Sequence, residues 1–293
     1  MTYSKKINGR ELADIMLKRL KKKVSDLKDN LGLVPMLAIV QVGDHYASNA
    51  YINNKQKAAK AIGIETNVIK LPQKITTEKL VKIIEEQNEN VKVSGIIVQL
   101  PLPDHIQKHL ILSSIDPIKD VDGFHPLNVG LLHIGVAQGF VPCTALGIVE
   151  LIKSTGESLP GKHIVIIGRS NIVSKPLAAL LLSHDATITV CHSKTVALAK
   201  ITSKADIVIV AVGSAKRFGV EYFKKDAIVI DVGINRLYEE LKIVGDVDFE
   251  QVQNHVKFIS PVPGGVGPMT IYFLLANIFK AVIMQHKINN IND

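Results

Sequence analysis

The chain is predicted to be an α/β protein of two domains, each built on a largely parallel sheet. Three observations carry this. Its 293 residues exceed one average domain. Short apolar runs of strand length alternate with segments of helical periodicity along the whole chain. In the second half, an apolar run meets a glycine turn and then a helix, the layout of a doubly wound domain.

Composition narrows the class. Hydrophobic residues make up 47% and charged residues 21%, which fits a globular chain and not a disordered one. Lys plus Arg total 35 against 27 Asp plus Glu, a net charge of +8 that favours anionic partners. The densest basic run, Lys18 to Lys23, lies on an amphipathic helix pattern and reads as a solvated face. With six Tyr, eight Phe and no Trp, no basic-aromatic platform forms, which argues against nucleic acid and for a small phosphorylated or carboxylated ligand. Cys143 and Cys191 are the only cysteines, and the opening Met-Thr-Tyr-Ser-Lys-Lys has no apolar leader, so a cytoplasmic protein with reduced thiols is expected. The apolar stretch from Ile271 to Met284 is interrupted by Asn277 and Lys280 and reads as a buried helix, with no membrane association.

In order, a helix is expected from Gly9 to about Asn30, ended by Gly32, followed by a strand at Met36–Val42. The next helix carries Tyr51 and Lys55 and stops at Gly63. Residues four apart share a helix face, so a phenol and a primary amine project side by side, with Ser48 one turn earlier. That pair suits proton handling and stacking on a planar ligand. A strand at Asn67–Leu71 and a helix opened by Thr76 or Thr77 come next. Ser94 to Leu100 is a strand that runs into Pro101-Leu102-Pro103, where the chain must leave the sheet. Gln99 therefore stands at a carboxyl end, where ligands of parallel sheets bind. The turn Lys119-Asp120-Val121-Asp122-Gly123 reads most simply as a β-turn with solvated acids, and alternatively as an acid set against a polar heterocycle.

Prolines 126 and 142 mark a domain crossing, and Thr144 is the expected N-cap of a helix from Ala145 to Ile152. Lys162–Ile167 is a strand that meets Gly168-Arg169-Ser170-Asn171-Ile172-Val173, and a helix follows from Leu177 with Pro176 in its first turn. This aims backbone N–H groups at a phosphate, although only the first glycine of Gly-x-Gly-x-x-Gly is present. The strand Thr187–Cys191 ends in His192-Ser193-Lys194-Thr195, where an NAD site would carry a carboxylate. Hydroxyls and a cation stand there, with Arg169 on the adjoining loop, so NADP is expected over NAD. Two further strands end at Gly213 and Gly233. The loop Ser260 to Thr270 holds three glycines and three prolines and reads as a ligand wall ahead of the final helix, Ile271 to Gln285.

Taken together, the motifs resemble the bifunctional methylenetetrahydrofolate dehydrogenase/methenyltetrahydrofolate cyclohydrolases. The stretches that carry the resemblance are Tyr51-Ile-Asn-Asn-Lys55, Val98-Gln-Leu-Pro-Leu-Pro103, Lys119-Asp-Val-Asp-Gly-Phe124, Pro142-Cys-Thr144, Gly168-Arg-Ser-Asn-Ile-Val173 and Cys191-His-Ser-Lys-Thr195. Asp231-Val-Gly-Ile-Asn235, Val244-Gly-Asp-Val247 and Pro261-Val-Pro-Gly-Gly-Val-Gly-Pro-Met-Thr270 complete the set, in the family's order.

The resemblance implies an N-terminal α/β substrate domain (residues 1–141 and 270–293) and a Rossmann-like doubly wound dinucleotide-binding domain (142–269), with the C-terminal helix returning to the first. It implies hydride transfer from 5,10-methylenetetrahydrofolate to NADP, then hydrolysis of the methenyl product to 10-formyltetrahydrofolate. Lys55 would exchange protons in hydrolysis, Tyr51 would pack on the folate, Gln99 would bond the lysine and Asp122 would hold the pterin. Further folate contacts fall on Val98, Leu100, Pro263, Gly264 and Gly265. Cofactor contacts fall on Thr144, Gly168, Arg169, Ser170, Ile172, Val173, Ser193, Gly213, Gly233 and Ile234. A homodimer formed through the dinucleotide domains and no metal are expected. Two residues depart from many relatives: Ser174, often glycine, which could narrow the pyrophosphate space, and Ala145, often proline. A short-chain dehydrogenase also uses Tyr-x-x-x-Lys, but there the glycine turn precedes the pair. The same residues would also suit a non-catalytic folate or nucleotide binder, or a relative that keeps the dehydrogenase without the cyclohydrolase.

Overall fold

The computed structural model describes residues 5–136, 138–237 and 242–288. The opening residues 1–4, part of the stretch read above as lacking a leader, lie outside it. The strands are β1 (Lys5–Lys6), β2 (Met36–Val42), β3 (Glu65–Leu71), β4 (Gly95–Val98), β5 (His163–Ile167), β6 (Thr187–Cys191), β7 (Ile207–Val210), β8 (Ile228–Asp231), β9 (Asn235–Leu237), β10 (Lys242–Val244) and β11 (Phe258–Ile259). The helices are α1 (Gly9–Leu31), α2 (Tyr46–Ile62), α3 (Thr77–Glu89), α4 (Lys108–Ser114), α5 (Pro126–His133), α6 (Cys143–Lys153), α7 (Ser174–Leu182), α8 (Leu198–Thr202), α9 (Phe249–Val252) and α10 (Val266–Gln285).

Two compact units result. The first joins the described residues up to Asp14 with Pro142–Thr270, and the second joins Ile15–Val141 with the chain from Ile271 onward. Residues up to Asp14, expected with the substrate domain, group instead with the nucleotide half. The cause is strand pairing: Lys5 and Lys6 lie parallel to Phe258 and Ile259, and the Ile7 N–H donates to Ile259 O at 2.9 Å. Gly9 then allows a close backbone approach, since a Cβ there would stand 2.1 Å from Gly265 O.

The first unit holds a six-stranded sheet in the order β1-β11-β8-β7-β5-β6, parallel throughout. From β5 the chain steps to β6 on one side and then to β7 on the other, so the connections diverge between β5 and β7. Beyond that point, at the carboxyl ends, doubly wound sheets bind ligands. The β5, β7 and β8 strands are nearly all apolar and buried, as a sheet covered on both faces requires. In the second unit a three-stranded parallel sheet runs β3-β2-β4, and its own divergence lies between β2 and β4.

Local chemistry sets the ends. Thr76 caps α3 by accepting the Lys79 N–H, and Gly63 closes α2 in the left-handed region at φ 89°. Thr144 is not a cap, because Pro142 takes that position and Thr144 sits inside α6. The final helix starts at Val266, five residues earlier than expected. It is long and apolar enough to cross a membrane by length and composition. Within the second unit, however, it acts as a core helix: Leu274, Leu275, Ile278, Ala281 and Val282 are buried. Its polar interruptions are tied to protein. Asn277 Nδ2 donates to Val121 O at 2.8 Å and Val141 O at 3.2 Å, and Lys280 Nζ donates to Gly139 O at 2.7 Å.

The bond to Val121 O is buried and the other two are part-buried, so removing the donor is costly. Asn277→Leu is expected to destabilise the second unit by about 2 kcal/mol. Urea unfolding of parent and variant at one pH measures this, and an unchanged midpoint contradicts it.

Candidate active site

The second unit gathers the amine, the amide and the acid. Helix α2 puts Ser48, Tyr51 and Lys55 on one face. Ser48 and Lys55 are buried, Lys55 to 8% exposure, and Tyr51 is half-buried. Gln99, the first residue past β4, accepts from Lys55 Nζ through Oε1 at 3.1 Å. Its own Nε2 donates to Leu100 O at 2.8 Å, which leaves Oε1 aimed at the amine. The pair thus sits where β2 and β4 diverge, the point at which a parallel sheet opens to a ligand. Val98 is buried at the end of β4, and Leu100 precedes a cis peptide bond to Pro101.

The acid turn differs from the simpler expectation: Asp120 is buried and Asp122 is half-buried. Asp120 is 1% exposed and accepts from Phe124 N at 3.2 Å, His125 N at 2.8 Å and Asn128 Nδ2 at 2.8 Å. Lys119 is also buried, and its Nζ donates to Asn88 O at 2.6 Å, Asn90 O at 2.9 Å and Gln87 O at 3.3 Å. These carbonyls end α3, so the cation answers the negative end of that helix. Asn88 adds bonds to Ser114 O and Asp116 N. Val121 packs against Gly95, where a Cβ would stand 2.6 Å from its Cγ1. So braced, the turn presents Asp122. Desolvation pushes the Asp122 carboxyl up to about 6, with the Lys55 charge opposing the shift and Asp120 adding to it. Burial also pushes the Tyr51 phenol up.

The first unit holds the other predicted residues at the carboxyl ends of its strands. Gly168 follows β5 with φ 134°, and a Cβ there would stand 2.4 Å from Ala211 O and 2.8 Å from Ser174 Oγ. Only glycine fits that cradle. Arg169 and Ser170 are exposed beyond it, and Ile172 and Val173 are half-buried. The Ser170 hydroxyl accepts from Val173 N at 3.1 Å and Ser174 N at 3.4 Å, so it ties the loop to the start of α7. Ser174 is fully buried, pointing toward Gly168 behind the loop and not into the space outside it. Its hydroxyl has no hydrogen-bond partner among the described residues. The tight turn after β6 closes through His192 N to Thr195 Oγ1 at 2.8 Å and leaves Ser193 and Lys194 exposed. No carboxylate stands on that turn. Gly213 takes φ 69°, Gly233 is buried and Ile234 is half exposed. Thr144 Oγ1 accepts from Thr270 Oγ1 at 3.3 Å. Within the loop before α10, Gly264 O accepts from Arg10 N at 3.0 Å, Gly265 is buried and Pro263 is exposed. Exposed hydroxyls and a cation, a backbone cradle and the absence of an acid on the β6 turn fit a phosphorylated dinucleotide.

Comparison with known proteins decides the family. Residues 7–122 match the tetrahydrofolate dehydrogenase/cyclohydrolase catalytic domain, and residues 142–286 match the NAD(P)-binding domain of the same family. The chain belongs to the tetrahydrofolate dehydrogenase/cyclohydrolase family. It is 58% identical to the bifunctional protein FolD of Rickettsia bellii over 94% of this chain and 97% of that one. The FolD of Rickettsia canadensis is 55% identical over 94% of this chain and 95% of its own. Among solved structures, FolD methylenetetrahydrofolate dehydrogenase/cyclohydrolase from Campylobacter jejuni is 48% identical with a TM-score of 0.93, covering 96% of this chain and 99% of that one. The Trypanosoma brucei FolD, complexed with NADP cofactor and inhibitor, is 37% identical with the same TM-score of 0.93, covering 99% and 100%.

A pH dependence follows from Asp122. Its folded-state pKa of about 6 lies above the ordinary 3.8, so the folded protein holds a proton that the unfolded chain has released between those values. Stability from this group therefore falls as pH rises through that window and stays lost above it. Asp122→Asn is expected to be more stable than the parent at pH 8, with the difference closing by about pH 4. Paired urea titrations at the two pH values check the sign.

Proposed function

We propose that the protein carries both activities of its family: NADP-dependent oxidation of 5,10-methylenetetrahydrofolate to the methenyl form, and hydrolysis of that product to 10-formyltetrahydrofolate. The observation that carries the hydrolytic half is the buried Lys55 amine bonded to Gln99 beside an acid of raised pKa. Water adding to the methenyl carbon must lose a proton, and Lys55 Nζ is the group placed to take it and to return it as the ring opens. Only a neutral amine can accept a proton. Gln99 orients the amine through Oε1, which accepts only. Asp122 anchors the pterin: a carboxyl near pKa 6 exchanges hydrogen bonds with ring nitrogens in either protonation state. Tyr51 offers its ring face to the folate, while Val98 and Leu100 line the substrate.

NADP, when bound, accepts the hydride. The chain's part is to hold it: Arg169 and Ser193 at the 2′-phosphate, Gly168, Ser170, Ile172 and Val173 along the phosphate loop, and Gly213, Gly233, Ile234 and Thr144 around the remainder. Hydride transfer requires alignment and no acid, so Lys55 serves the second step and not the first. We further propose a cytoplasmic homodimer formed through the nucleotide unit. Two buried cysteines that form no disulfide support the compartment, and the family resemblance supports the dimer.

Lys55→Met is expected to lower cyclohydrolase turnover by at least about 100-fold, as for loss of a general base, while hydride transfer stays measurable. Following methenyl absorbance and NADPH formation separately decides it; hydrolysis at the parent rate removes Lys55 from the mechanism. For the cofactor, Arg169→Ala should weaken NADP by about 10-fold, the scale of one charge-assisted phosphate contact, and leave NAD nearly unchanged. Equal losses for both nucleotides would place Arg169 away from the 2′-phosphate.

A further inference from the structure

Two buried carboxylates in the nucleotide unit have no role in the chemistry above. Asp246 is fully buried and Asp231 is 3% exposed. Asp246 Oδ2 accepts from Val212 N at 2.7 Å and Gly213 N at 2.9 Å, and Oδ1 accepts from Ser214 N at 2.8 Å and Asn235 Nδ2 at 2.8 Å. Four donors thus converge on one carboxylate from two loops. One loop follows β7 at the point where the sheet connections diverge, and the other leads from β8 to Asn235, the first residue of β9. Asp231, the last residue of β8, in turn accepts from Asp246 N at 2.9 Å, Val247 N at 2.9 Å and Gly233 N at 3.0 Å.

The packing is reciprocal. A Cβ on Gly233, two residues after Asp231, would stand 2.2 Å from Asp246 Oδ1. A Cβ on Gly245, the neighbour of Asp246, would stand 1.8 Å from Asp231 Oδ2. Each acid therefore occupies space that the other's glycine leaves open. Burying two acids together is unfavourable, and desolvation with Asp246 repulsion carries Asp231 up to about 7 against its three N–H bonds. A loop needing only order could be held by neutral groups. Acceptors for four N–H donors in one place require a carboxylate, with its two oxygens and roughly four lone-pair sites.

We propose that Asp246, braced by Asp231, is a positioning residue for the pyridine nucleotide, fixing the Val212–Ser214 and Gly233–Asn235 backbones as the cofactor-facing walls of the sheet. This rests on the cofactor reading above. The consequence is a split: cofactor affinity depends on the pair, while hydrolysis, whose residues lie in the other unit, does not.

The test uses the full chain and NADP as probe. Asp246→Asn keeps the shape but turns one acceptor into a donor facing N–H groups. It is expected to raise the NADP Kd by calorimetry, and the NADP KM, by about 10-fold, which is about 1.4 kcal/mol, with dehydrogenase kcat changed far less. Cyclohydrolase turnover on supplied methenyltetrahydrofolate should stay within about twofold of the parent, within the range of a mutation remote from that chemistry. Asn235→Ala, which removes one of the four donors from a half-buried side chain, should raise the Kd by about threefold, as one modest hydrogen bond would. Parent affinity in both variants overturns the proposal. So does an Asp246→Asn protein that loses both activities and melts early while Asn235→Ala binds NADP as the parent does, because the pair is then a brace for the fold alone. A parent protein that does not bind NADP defeats the cofactor reading itself, and this proposal with it.

Discussion

The site depends on keeping a primary amine out of water. A lysine at 8% exposure has lost most of its hydration and is given one amide oxygen and one nearby acid in return. Burial of that kind is expensive unless geometry is held, because an ammonium left unpaired costs several kcal/mol. The surroundings read as answers to that requirement. Helix α2 carries Lys55 one turn beyond Tyr51, β4 ends where Gln99 must turn its oxygen toward the amine, and Gln99 spends its own N–H on Leu100 O. The acid turn is then fixed independently of the amine, by Lys119 on the α3 carbonyls and by Asp120 on backbone N–H groups. Asp122 is thereby presented by a rigid support and not drawn into a contact ion pair that would quench both groups.

Much of this was legible from residue order. The Tyr51/Lys55 spacing, the proline pair that ends β4 and the glycine turn after β5 each correspond to a local rule, and each element lies where its rule puts it. The errors have a common cause. A turn with two acids looks solvated until the chain around it is folded; what buries Asp120 is Asn128, eight residues on, and a backbone closing over it. Residues up to Asp14 look like the start of the first domain because they precede it, yet a two-residue strand finds its partner at Phe258 and Ile259. Thr144 has a capping side chain, but Pro142 already fixes the helix entry. Chemistry was readable where an element's own residues set it and silent where a partner supplied by the fold decides, whether near, as Asn128 is to Asp120, or more than a hundred residues away, as the carbonyl of Val121 is to Asn277.

The same limit hid the acid pair of the nucleotide unit. The stretches Asp231-Val-Gly and Gly-Asp246-Val are visible as motifs, and nothing in their order says that each aspartate fills the gap beside the other's glycine. Their placement raises an electrostatic objection, since acids at the end of a sheet that receives a phosphorylated ligand oppose it by Coulomb repulsion. Two features reduce the objection. Seven hydrogen bonds, six of them from backbone N–H groups, spread the charge of the two carboxylates into fixed dipoles. With Asp231 near a pKa of about 7, the pair carries less than its full double charge at neutral pH. A lysine or arginine in place of Asp246 would relieve the repulsion but could not accept the N–H groups of Val212, Gly213 and Ser214. Loops that must present their outer surface to an anion can be tied from behind only by an acceptor, and that requirement selects an acid in spite of its charge.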